Sequence, residues 1–218
     1  MPRSDHGDTG TKIAATLREA ILAGIYTPGE RIRQDEIAES LGASRFPVRE
    51  ALRILDAEGL ITFVANKGAR VAWLSPAECQ EMYLIRERLE PLLLRMNVPL
   101  LSDDDVDALA ALADEMERTD DVDRFLQLDR EFHLSPLEHQ KTRVLGSSTL
   151  SLWNRTQHYR RAATRLLAAG GDRSVHHDHH LIVHALRRRD EEEADRALAS
   201  HIRRSRLELA RHPEIFEH

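Results

Sequence analysis

A chain of 218 residues with 41% hydrophobic and 31% charged content is long enough for one or two folded domains and too apolar to stay disordered. One cysteine, Cys79, excludes an internal disulfide, and no apolar run is long enough for a signal or a membrane span, so no membrane partner is expected and the cytoplasm is the default location. The net charge of −6 would argue against a nucleic-acid partner if it were evenly spread, but residues 1–75 hold ten basic and ten acidic side chains and the rest hold 21 and 27. A neutral N-terminal part can reach a polyanion only through a local basic face.

Met1 to Asp8 is polar and reads as a flexible leader. Ile13, Leu17 and Ile21 recur at four-residue steps, so Thr11 to Gly24 reads as a supporting helix, and Tyr26 to Glu30 as a turn. Ile37, Ala38 and Leu41 form one apolar stripe, and Val48, Leu52 and Leu55 another, separated by Gly42, where the chain turns. Ser44 is placed to cap the second helix, Pro47 is tolerated in its first turn, and Arg45 and Arg49 point outward together. Arginines at such a helix start can fork onto guanine or clamp phosphate, which is how a helix-turn-helix reads DNA. Gly59 to Val64 and Ala69 to Trp73 alternate as two strands around Asn66-Lys67-Gly68, a wing with a basic tip.

Ser75-Pro76-Ala77-Glu78 is a capping box that opens a new helix. Beyond it only helical segments are expected, near 76–97, 103–118, 121–138, 142–169, 174–189 and 191–211, with Pro91 a point of kinking. Asp129 and His133 lie four apart on one helical face and can share a metal. His176, His177, His179, His180, His184 and His201 offer an excess of further ligands, among which spacing does not choose.

The segments Ala20 to Ile32, Gly42 to Leu52 and Glu58-Gly59-Leu60 resemble the winged helix-turn-helix of GntR-family bacterial regulators over residues 11 to 74. Phe46 stands where that family more often has a small polar residue. Asp129 to His133, Asp178-His179, Ala185 to Asp190 with Ala194, and His201-Ile202 resemble the FCD ligand-binding domain of the FadR-like branch over residues 78 to 210. His139 to Thr142 departs from the glycine-asparagine turn of that branch. The resemblance implies a mainly α protein: a leader at 1–8, a winged helix-turn-helix of three helices and a hairpin at 9–74, and an all-α FCD bundle at 75–218. It implies Asp129, His133, His179 and His201 as ligands of a divalent metal, typically zinc, with nickel or manganese as alternatives. Arg86 matches a cavity-facing arginine of the family, with an ion pair to Glu90 or Glu81 as the plainer role. Arg155 and His158 stand between lining the pocket and solvating a helix.

The DNA-facing set is then Arg33, Ser44, Arg45, Phe46, Pro47 and Arg49 with Asn66, Lys67 and Gly68 of the wing, and the effector set is Arg86, Arg155 and His158. The function implied is a homodimeric regulator, a repressor first and an activator as the alternative, that binds a near-palindromic double-stranded operator and answers to a small organic acid. Two other readings remain: a metal-dependent hydrolase, which lacks a nucleophile elbow or phosphate loop, and a sensor of the metal itself.

Overall fold

A computed structural model describes residues 5–65, 68–139, 142, 144–170 and 174–217. The described residues up to Leu74 form one compact unit with Ser151–His158, and Ser75–Leu150 with Tyr159 onward form a second.

The first unit contains α1 (Asp5–Leu22), β1 (Arg31–Ile32), α2 (Gln34–Ser40), α3 (Arg45–Ala57), β2 (Ile61–Val64) and β3 (Gly68–Val71). Its core follows the expected stripes: Ile13 and Leu17 of α1, Ile37 and Ala38 of α2, and Val48, Leu52 and Leu55 of α3 are all buried. Removing each large aliphatic side chain from water contributes about 1.5–3 kcal/mol. A bidentate pair, Arg18 Nε and Nη2 donating to Glu58 at 2.7 and 2.6 Å, ties α1 to the residue that ends α3. Gly42 turns with φ +59°, a left-handed conformation that a side chain would strain.

Four details differ from the sequence reading. Helix α1 starts at Asp5, inside the stretch read as a leader, and residues 1–4 lie outside the described residues. Leu41 is exposed rather than part of the stripe, because α2 ends at Ser40 and Leu41 is its C-cap. Ser44 occupies the N-cap of α3 with extended backbone but makes no side-chain capping hydrogen bond. The wing is joined by a third strand: the antiparallel order is β1-β3-β2, with Arg31 opposite Arg70 and Ile61 opposite Val71. Two residues are too few to show an alternation, so β1 carries no sequence signal of its own.

The second unit is helical among the described residues: α4 (Pro76–Asn97), α5 (Asp103–Arg118), α6 (Val122–Leu134), α8 (Ser174–Arg187), α9 (Glu191–Arg211) and both ends of α7 (Leu145–Gly170), whose middle belongs to the first unit. The caps are built as expected. Ser75 and Ser102 form reciprocal boxes with Glu78 and Asp105, and Asp121 and Asp190 accept from the first free amides of α6 and α9. Helix α4 continues through Pro91 as one element. α4 and α8 each pack along α9, and α5 packs on α6 and α8, which brings α6, α8 and α9 to one centre. The α8–α9 turn needs Arg189 at φ +56°, and its guanidinium donates to the Leu101 carbonyl at 2.5 Å and Asp103 at 2.6 Å, offsetting that strain.

Candidate functional site

At the start of α3, Arg45, Phe46 and Arg49 are exposed. Arg45 Nε pairs with Asp35 at 2.6 Å and Arg33 with Glu36 at 3.0 Å, both across exposed surface. The Arg49 guanidinium lies over the Phe46 ring, 5.6 Å from its centre. Pro47 is buried under this face and stiffens the first turn, so it offers no surface to a ligand. Gly68 opens β3 with φ +79°, whereas Asn66 and Lys67 lie outside the described residues.

In the bundle, Asp129 and His133 of α6 meet His179 of α8 and His201 of α9. All four are buried, and one ligand atom from each lies within 4.8 Å of the others. The i, i+4 step on α6 aligns the first two, with His133 Nε2 3.6 Å from Asp129 Oδ1, and His179 Nε2 approaches the same oxygen at 3.3 Å. The His133 and His201 rings stack at 4.9 Å, and the His179 ring is tilted against His201 at 4.9 Å.

Burial, then the neighbouring imidazoles of His201 and His179, hold His133 well below the usual histidine range. Burial, then His201 and His176, do the same to His179. Burial lowers His201 too, against the pull of Asp178. Neutral imidazoles with a lone pair are the protonation state a metal needs. Both ring nitrogens of the fully buried His179 lack a hydrogen bond among the described residues, a costly arrangement for a purely structural histidine. Three imidazoles and a carboxylate fit a borderline divalent ion, so the cluster could hold a metal. Outside the four, Asp178 sits 3.5 Å from His201 Nδ1, while its other oxygen accepts from Arg204 at 3.1 Å. Such a carboxylate orients a ligand ring.

A cavity of about 360 Å³ opens beside the cluster, with Asp129 and His201 in its wall. Tyr83, Phe125, Leu167, Val175 and Leu209 supply apolar surface, while Thr164, Ser205, His176, Arg160 and the carboxylates of Asp120, Asp121 and Glu208 supply polar groups. Arg160 pairs directly with Asp129 Oδ2. Burial brings its pKa down to about 10, which leaves it charged at neutral pH.

Arg86, Arg155 and His158 do not line this cavity. Arg86 is buried in the plainer role, with Nε 2.5 Å from Glu90 Oε1 and its guanidinium over the Tyr83 ring. Arg155 and His158 belong to the first unit, around a small recess with Ile21, Tyr26 and Leu60. The cation at the cavity is Arg160, which the sequence reading missed. It lies in an arginine-rich helix whose inward face is set by packing rather than by a clear apolar stripe. The contact of Asp178 with His201 was missed as well, although its place beside His179 was visible.

Among the described residues, no helix is long and apolar enough to cross a membrane. Residues 9–71 match the bacterial regulatory proteins of the gntR family, and residues 81–204 match the FCD domain. The gluconate operon transcriptional repressor of Bacillus subtilis is 32% identical over 128 residues, 57% of this chain and 52% of that protein. A GntR-family transcriptional regulator from Pseudomonas syringae is 31% identical, with a TM-score of 0.58 over 94% of this chain and 86% of that one. McbR/YncC of E. coli shares the fold, with a TM-score of 0.81 at 22% identity over 93% of this chain and 97% of that one. The chain spans about half the length of the curated relatives it matches. A winged unit with an arginine-bearing α3, an FCD match over more than half the chain and a GntR relative aligned along nearly all of it place this protein in the GntR family of bacterial regulatory proteins, with an FCD domain.

Proposed function

We propose that this protein is a DNA-binding transcriptional regulator, a homodimeric repressor whose operator affinity is set by a small organic acid bound beside a divalent metal, most simply zinc, with nickel or manganese as alternatives. The observation that carries this reading is the buried Asp129, His133, His179 and His201 cluster, two of whose members, Asp129 and His201, stand in the wall of a cavity that also presents Arg160. Family membership supports a regulator over an enzyme, and a relative named as a repressor supports the sign.

Each part of the chain has a task. The α3 start, with Arg45, Phe46 and Arg49, meets the major groove, and Arg33 meets phosphate nearby. In the bundle, Asp129, His133, His179 and His201 hold the ion, which supplies a Lewis-acidic position for a carboxylate. Arg160 neutralises remaining negative charge of the ligand, and Tyr83, Phe125, Leu167 and Leu209 cover its carbon skeleton. Paired half-sites follow from two-fold symmetry of a dimer. The cytoplasm, where the DNA lies, is the site of action.

The test is fluorescence anisotropy on DNA flanking the protein's own gene, at two salt concentrations, with and without a chelator. Specific, salt-sensitive binding that shifts on chelation is the expected result. Absence of binding to that DNA and to a randomised duplex library would overturn the regulator reading. A response to metal with none to a panel of organic acids would replace the effector reading with a metal sensor.

A further inference from the structure

Phe46 leaves half of a large apolar ring in water at the second residue of α3, and it packs into no core. One turn on, Arg49 rests its guanidinium over that ring, 5.6 Å from the centre. The other two arginines of this face have carboxylate partners, Asp35 for Arg45 and Glu36 for Arg33. Among the described residues Arg49 has none within 4 Å, so the ring rather than an acid holds it in place. The outcome is an adjoining pair, an apolar edge beside a fork of donors with no carboxylate partner within 4 Å among the described residues, both exposed.

Two reader groups about 5–6 Å apart suit adjacent base pairs, which rise about 3.4 Å and are also offset by the helical twist. In the major groove the apolar group that distinguishes a base pair is the thymine 5-methyl, and the group best matched by an arginine fork is guanine O6 with N7. We infer that Phe46 and Arg49 act together as a two-base reader: the Phe46 ring contacts a thymine methyl in each half-site, and Arg49, braced on that ring, takes the guanine of the adjoining base pair. A small polar residue at position 46 would supply neither the methyl contact nor the brace. This inference rests on the DNA-binding reading and makes Phe46 a specificity-determining residue of this chain.

The experiment selects sites from a randomised duplex library with the full chain and with Phe46→Ala, then replaces each enriched thymine singly by deoxyuridine, which removes only the methyl group. With the wild-type chain, one thymine next to a guanine in each half-site is expected to show about fourfold weaker binding on that replacement, the worth of one buried methyl-sized group. Phe46→Ala is expected to be indifferent to the replacement and to lose both the thymine and part of the neighbouring guanine preference. Because the ring is half exposed, the variant should keep its wild-type circular dichroism. Enrichment by the wild-type chain with no methyl-sensitive thymine, or the same site selected by Phe46→Ala, would overturn the inference and leave the regulator reading intact. No enriched site at all would overturn both.

Discussion

His179 is fully buried, its ring nitrogens make no hydrogen bond among the described residues, and Asp129 Oδ1 stands 3.3 Å away. Replacing His179 and His201 together by alanine is expected to abolish bound metal, read by elemental analysis of purified protein; wild-type metal content would refute the ligand set. Asp178→Asn keeps the shape but removes the charge facing His201, and metal affinity should fall about 10–100-fold in a chelator competition while helix content is unchanged. Protonation gives a third outcome. His133, His179 and His201 all have folded-state values below 6.5, so below that pH the unfolded chain binds more protons than the folded one. Stability of the metal-free protein is therefore intact above about pH 6.5 and declines as pH falls beneath it. Thermal melts in chelator at pH 7.5 and 5.5 test this, and equal midpoints would contradict it.

Elements were legible where periodicity and caps act locally. Ser75 with Glu78 and Ser102 with Asp105 announce α4 and α5 in sequence and form reciprocal bonds in the fold. Ser75→Ala should cost about 1 kcal/mol, measured by urea unfolding, because an amide of α4 then loses its acceptor. The i, i+4 pair on α6 was equally readable, whereas its partners on α8 and α9 came from resemblance, since six histidines at overlapping helical steps do not rank themselves. Arg160 was not readable: which face of α7 turns inward is decided by helices distant in sequence. Arg86, buried on α4, makes the ion pair with Glu90 that its i, i+4 spacing allowed. The strand β1 failed for a third reason, being only two residues long and held by its partner's hydrogen bonds.

For the whole molecule, the zero net charge of residues 1–75 means that DNA affinity has to come from a few arginines on one face rather than from a diffuse positive field. Log affinity should fall with log salt at about −0.9 per neutralised phosphate, and Arg33→Ala should flatten the slope by about 0.9 for each copy of the chain bound. An unchanged slope would remove Arg33 from the phosphate contacts. The four clustered residues also have a bearing on turnover. They come from three helices, and Asp129 and His201 stand far apart along the chain, so an ion joining them would act as a removable cross-link on the bundle. By mass action the population of locally opened bundle then tracks free metal concentration. Starvation for the ion would therefore shorten the protein's lifetime against cellular proteases, and a supply of metal would be remembered as an abundance of regulator rather than only as its occupancy.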